Sequence, residues 1–377
     1  MEYSNEVMKI VEGALKSDKS KVLSYTKLLV DKLKQNNENR LANSFTKMVN
    51  NNLSSMSQQS ISDMVKVPLD QESRLPMADI MLPEQLTDIQ IVLNRSAREQ
   101  INKFLEYYNN TNKLITAGIK VPNTVLLYGP PGCGKSKLAN YICAKTQLPL
   151  VVARIDGLIS SYLGSTAKNI RAIFEYAQTV PCVLFLDEFD ALAKVRDDNN
   201  ELGELKRVVN SLLQNIDQLQ NGSIIVAATN HEQLLDPAVW RRFGFRIIIE
   251  RPDLESIKQL IHCFIDDQFS DKELSLLSFA FNGLTGAEIE EICHKAAIDS
   301  LISNRELDIS CIFNVFFDFK GVLDDITDSV TDKEIYKAKA KYLRGIDSKL
   351  FSYNVIAEVL GVSKTYVATI IKEKEVF

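Results

Sequence analysis

Residues 124–146, TVLLYGPPGCGKSKLANYICAKT, leave this chain little freedom of fold. An apolar strand, Val125 to Tyr128, runs directly into Gly129-Pro130-Pro131-Gly132-Cys133-Gly134-Lys135-Ser136, which fits G-x-x-x-x-G-K-[ST]. Leu138, Ala139, Ile142 and Cys143 then repeat at helical spacing. Strand, glycine-rich loop and helix in that order make a phosphate cradle. Glycines let successive backbone N–H groups turn inward without a Cβ clash, and the helix N-terminus adds its positive end. Lys135 is then placed for the β- and γ-phosphates, and the Ser136 hydroxyl for Mg²⁺. The expected ligands are ATP and Mg²⁺.

Such a loop needs a carboxylate beside it, and CVLFLDEFDAL supplies one. Val183 to Leu186 is continuously apolar, as a buried parallel strand should be. Asp187 at its end is a candidate Mg²⁺ ligand, and Glu188 a candidate base for an attacking water. The next strand, SIIVAATN, ends in Asn230, a neutral group able to orient that water without adding charge near the γ-phosphate. All of these belong at one carboxyl edge of a sheet, where open α/β folds bind ligands.

The rest of the 377 residues bound the setting. With 45% hydrophobic and 25% charged residues, the composition is that of a soluble globular protein of two or three domains. No apolar run is long enough for a membrane span, so no membrane partner is expected. The amphipathic, acidic start is unlike a secretory signal. The six cysteines are scattered without a CxxC pair, which suits buried thiols in a reducing cytoplasm. We divide the chain into a helical N-terminal region at 1–60, where Val7, Ile10, Val11, Ala14 and Leu15 repeat at helical spacing, as do Leu41, Ala42, Phe45, Met48 and Val49. An extended linker follows at 61–95, then an α/β nucleotide-binding subdomain at 96–250 and a helical lid at 251–313. An acidic connector at 314–332 leads to a small helical tail at 333–377.

Residues 96–310 resemble the AAA ATPases. The resemblance rests on GPPGCGKS, FLDEFD, AATN, LLDPAVWRRFGFRIIIERPD and NGLTGAEIEEICHKAA, in this order. It implies an AAA+ P-loop parallel sheet with a helical lid, assembled as a ring, usually of six subunits, with ATP at each interface. Arg241 and Arg242 fall where arginine fingers reach the neighbour's γ-phosphate. Arg246 stands out of register with the arginine that many relatives carry three residues on, and Asp217 falls at the usual interface position. Gly286 and Ala287 occupy the place of a sensing arginine in other AAA+ branches. The WRRF form resembles a bacterial subgroup, which suggests a two-gene arrangement with a separate subtilisin-like protease subunit, in defence against phage.

The resemblance also gives meaning to SSYLGST, residues 160–166. Tyr162, Leu163 and Gly164 match the aromatic-hydrophobic-glycine triplet that faces the pore of AAA rings, where the ring would grip an extended polypeptide. The alternative is a tyrosine packed within its own loop. Arg196, Asp197 and Asp198 would form a second pore loop. The tail carries a different signal: Ala357, Gly361 and Val367 have the spacing of a helix-turn-helix, with Ser363, Lys364, Thr365 and Tyr366 opening the recognition helix. Residues 333–377 hold nine Lys or Arg and five Asp or Glu, a basic end to a chain of net charge −5. The tail either contacts DNA or is a packing module. Two functions follow: a ring ATPase that remodels or threads a protein, and an ATP-regulated ring placed on DNA.

Overall fold

The structure is a computed structural model that describes residues 26, 29, 32–33, 68–70, 76–86, 89–119, 121–154, 158, 163–193, 202–219, 222–265, 269–323 and 331–372. Its contacts divide the chain into two units, Met1–Val67 and Pro68–Phe377. In the first, Thr26, Leu29, Lys32 and Leu33 are helical, and Leu29 and Leu33, one turn apart, are buried. The apolar repeats expected at 7–15 and 41–49 lie outside the described residues, as do Tyr162 and the 196–198 stretch.

The second unit begins with strand β1 (Ala78–Met81) and helix α1 (Arg95–Asn109). It continues with β2 (Thr124–Tyr128), α2 (Lys135–Thr146), β3 (Leu150–Ala153), α3 (Leu163–Thr179), β4 (Val183–Leu186), α4 (Leu202–Gln218), β5 (Ile224–Thr229) and β6 (Phe245–Ile248). The strands form one sheet in the order β1-β3-β4-β5-β2-β6, parallel except for β1, which runs antiparallel to β3. Val125, Leu127, Val183, Phe185 and Val226 share one buried cluster with Ala97, Ile101 and Phe104 of α1 and Leu138 and Ile142 of α2. Alternation turns Leu126, Leu184 and Ile225 to the other face, where they are equally buried. That is why these strands read as unbroken apolar runs. The stretch expected as an extended linker thus supplies an edge strand, with Asp79 paired to Arg154 at 2.7 Å.

The lid follows as α5 (Leu254–Phe264), α6 (Asp271–Ala280), α7 (Gly286–Ile302) and α8 (Ile309–Phe319), and the tail as α9 (Asp332–Ile346), α10 (Tyr353–Leu360) and α11 (Lys364–Lys372). Each lid helix starts on a side-chain cap: Asp253, Ser270, Thr285 and Asp308 accept from backbone N–H groups three residues on. Two expectations need correction here. The acidic connector at 314–332 is helical up to Phe319, because NVFFDF presents Val315, Phe316 and Phe317 to the core; residues 324–330 lie outside the described part. The tail, in turn, is not a separate module. Leu343, Phe351, Ile356, Val367 and Ile370 share one continuous core with Ile261, Ile289, Phe313 and Phe317 of the lid. Rings knit the two together, Phe313 meeting Phe351 edge-on at 6.1 Å and Tyr342 lying 6.1 Å from Phe316.

Between α10 and α11 the chain bends by 109°. Gly361, at φ 66°, makes the turn in the left-handed region that a side chain resists. Among the described residues no single helix is long and apolar enough to cross a membrane. The apolar faces of α10 and α11 lie inside the shared core.

Because Phe351 is fully buried at the junction, Phe351→Ala should cost about 3–5 kcal/mol in urea unfolding of the full chain. Lid and tail should melt in one transition. A loss below about 1 kcal/mol would mean that the tail packs loosely on the lid.

Candidate nucleotide site

Parallel register brings the site together. β5 lies between β4 and β2, with Leu186 opposite Ala227 and Tyr128 opposite Thr229. The residues that follow these strand ends, Gly129, Asp187 and Asn230, therefore meet at one edge. Gly129 has φ 137°, and a Cβ there would sit 2.3 Å from the Ile249 carbonyl oxygen, so no other residue fits. Gly134, at φ 97°, opens α2.

Lys135 is buried, and its Nζ donates to the carbonyls of Gly129 at 2.7 Å and Pro130 at 2.8 Å. Burial holds its ammonium below the ordinary lysine value, with Cys133 and Asp187 acting against that shift. The Cys133 thiol in the same loop is pushed up by burial, which makes it a poor nucleophile. Ser136 Oγ donates to Asp187 Oδ2 at 3.1 Å, so the two proposed Mg²⁺ ligands are already neighbours. A hydroxyl and a carboxylate are hard oxygen donors, and this pair fits the ion. Glu188 is exposed, with φ 45° and its N–H donating to Asp187 Oδ1 at 2.9 Å. Asn230 lines the same cleft, and its Oδ1 is buried with no hydrogen-bond partner among the described residues. A buried acceptor left unpaired is costly, and it marks a place where a donor from a ligand or water would fit.

These groups line a cleft of about 370 Å³. Pro131, Gly132 and Cys133 lie in its wall with Lys135 and Ser136, so the whole glycine-rich loop borders one space. Two further walls complete the cleft. Residues 90–94 form one, and the pattern that could have revealed it is Asn94, whose side chain accepts from Ala97 N–H and starts α1. The lid forms the other, through Leu260, Phe264, Gly286, Ala287 and Glu290.

The arginines lie apart from this cleft. Arg241 and Arg242 are exposed after the short helix Pro237–Trp240, and Arg242 Nε pairs with Asp217 Oδ2 of α4 at 2.8 Å. Among the described residues Arg241 has no ion-pair partner, and Arg246 Nε donates to the Phe243 carbonyl at 3.2 Å. Leu163 and Gly164 open α3. In the tail Ser363, Lys364 and Thr365 are exposed, but Ser363 Oγ accepts from Tyr366 N–H at 3.2 Å and so caps α11. The Tyr366 ring packs edge-on against Tyr336, 6.1 Å away.

With this geometry in place, similarity to known proteins becomes informative. Residues 125–251 match the ATPase family associated with various cellular activities (AAA). Over these residues the chain is similar to an AAA ATPase domain. It is 41% identical over 216 residues to the AAA family ATPase y4kL of Sinorhizobium fredii, a match covering 57% of this chain and 66% of that protein. It is 33% identical over 211 residues to the ATP-dependent zinc metalloprotease FtsH of Thermus thermophilus, covering 54% of this chain and 34% of that one. The matched region thus spans less than two thirds of either relative. The solved AAA domain of FIGL-1 superposes with a TM-score of 0.53 at 19% identity, over 72% of this chain and 92% of that one, and shows the same fold.

Asn230→Ala separates site from scaffold. Removing an unpaired buried acceptor should leave the melting temperature unchanged or slightly higher, while ATP turnover falls roughly ten- to a hundredfold. Parallel melting and phosphate-release assays check this. A large drop in stability would make Asn230 a structural residue.

Proposed function

We propose that this protein is a Mg²⁺-dependent ATPase that assembles as a ring, six subunits being the expected number, and uses hydrolysis to remodel or thread a protein substrate. The single observation that carries the ATPase chemistry is the meeting of Ser136, Asp187, Glu188 and Asn230 beside the phosphate loop in one cleft. In this reading the backbone N–H groups of Gly132, Cys133 and Gly134 cradle the phosphates, and Lys135 leaves its two carbonyl partners for the β- and γ-oxygens. Ser136 and Asp187 would hold Mg²⁺, whose positive charge would offset that of the phosphates. Glu188 takes the proton of the attacking water, and Asn230 orients that water through its free acceptor.

The ring rests on the AAA relationship and on the placement of Arg241 and Arg242, outside their own cleft and exposed. There they would act on a neighbour's nucleotide. Tyr162, Leu163 and Gly164 would line the pore and grip the substrate. A partnership with a separate protease subunit, as in a two-gene defence system, belongs to the same reading. Buried thiols such as Cys182 and Cys293, both pushed up to about 12 by burial, suit a cytoplasmic setting.

The experiment is a set of three variants. Glu188→Gln should bind ATP and hydrolyse almost none, whereas Lys135→Ala should lose binding itself. Arg241→Ala should bind normally and turn over slowly, and mixing it with Lys135→Ala should restore activity at hybrid interfaces. Near-parental turnover in Glu188→Gln would refute the base assignment, and no rescue at any mixing ratio would refute the shared site.

A second reading has its own support. The 109° bend at Gly361, with Lys364 exposed at the start of α11, has the form of a DNA-reading helix pair. Here the tail would place the ring on duplex DNA, through Lys364 more than through Ser363, Thr365 or Tyr366, whose side chains are engaged within the tail. Fluorescence anisotropy with labelled duplex at low salt tests it. Binding should fall steeply with salt and weaken in Lys364→Glu. No binding by the ATP-bound protein leaves the tail as a packing element of the lid.

A further inference from the structure

Lys137 lies two residues beyond the phosphate-loop lysine, on the first turn of α2. Its Nζ is 2.7 Å from Glu290 Oε2 on α7. The same ammonium sits 5.3 Å from the centre of the Phe264 ring, at the end of α5. Phe264 is in turn held edge-on by His294 of α7, with 5.8 Å between ring centres. One cation thus engages two lid helices while its own helix begins at the phosphate loop. Nearby, the lid touches the loop itself: Ala287 N–H donates to the Gly132 carbonyl at 3.0 Å. A Cβ on Gly132 would come within 2.9 Å of Thr285 Oγ1, so lid and loop are already in close contact there.

Lys137, Phe264, Glu290, Gly132 and Ala287 all line the nucleotide cleft. In the ATPase reading a nucleotide in that cleft lies between loop and lid, so lifting the lid opens its way out. Every contact broken in lifting adds to the barrier for release. We propose that Lys137, Glu290 and Phe264 form a clasp holding the lid on the phosphate loop, which slows the departure of bound ADP. Lys137 and Glu290 are positioning residues for the ATPase cycle, acting through the lid. The inference rests on the ATPase reading above.

Exposure limits the size of the effect. The side chains of Lys137 and Glu290 are 53% and 32% exposed, and an ion pair of that kind contributes at most about a fivefold change. The aromatic face beneath the ammonium adds to it, since the ring attracts the cation and shields one side from water. The loop–lid hydrogen bond at Gly132 remains when the pair is removed, so the clasp tunes release without being required for the fold.

The test is stopped-flow chase of mant-ADP from the full-length protein. Lys137→Met and Glu290→Gln should each speed release about three- to fivefold. The double variant should be no faster than the faster single, because both remove the same interaction. Lys137→Arg, which keeps the charge and the ring contact, should stay near the parental rate. Melting curves confirm folding, and the isosteric Glu290→Gln carries the test should Lys137→Met prove unstable. Parental release rates in folded variants, or additive effects in the double, would overturn the clasp alone. Additivity would mean that Lys137 acts on the nucleotide directly. If the parent protein itself shows no saturable mant-ADP binding, the nucleotide reading falls and the clasp with it.

Discussion

Strands β5 and β2 end side by side, Thr229 opposite Tyr128, and β4 ends beside them opposite Ala227, two residues earlier. The cleft depends on that register. A slip of one residue on β4 would turn Leu184 and Phe185 to the wrong faces of a sheet that is buried on both sides, and would carry Asp187 away from Ser136. The apolar runs that hold the sheet together are therefore also what aligns the chemistry. The candidate residues Asp187, Glu188 and Asn230 need no special scaffold of their own. They directly follow strands whose register is fixed on both sides.

Much of this was legible in the sequence, and the reasons differ by region. The α/β subdomain could be read because its strands are short, continuously apolar and followed at once by chemically distinctive residues. Glu188, Asp187 and Lys135 stand where spacing alone put them. The lid–tail junction was misread for a physical reason: polar and acidic residues after Phe319 look like a connector, but the decisive residues are the phenylalanines before it. Three aromatics within Phe313–Phe317 of one helix cover a wide arc, too wide for a single partner, and both lid and tail are needed to bury them. Helical periodicity within the tail was visible, whereas the surface it packs on was not. Lys137 went unnoticed because nothing local distinguishes it; its partners lie 127 and 153 residues away in sequence.

The fused lid and tail change how the second unit can move. A tail joined through a flexible connector could bind a partner without consequence for the nucleotide. A tail that shares Phe313, Phe316 and Phe351 with the lid cannot, because shifting it means shifting the lid or opening a large aromatic core. The lid, through Ala287 and Gly132, touches the loop that receives phosphate. Lid, tail and phosphate loop therefore form one mechanically continuous path, assembled from packing at one end and a backbone hydrogen bond at the other.

The phosphate loop itself sits poised between two sets of partners. Lys135 donates to the Gly129 and Pro130 carbonyls, which keeps a buried cation satisfied while its pKa is held down by desolvation. Phosphate oxygens are stronger acceptors than carbonyls for such a donor, because the hydrogen bond is then charge-assisted on both sides. Exchanging partners moves the ammonium only within its own loop, so little ordering is left to be done on binding. The same argument applies to Asn230, whose acceptor has no donor among the described residues and so gains one when a ligand or water arrives. A site that satisfies its cation weakly and leaves one acceptor unsatisfied gives up some stability in the empty state. It recovers that stability on binding, which biases the cleft toward being filled.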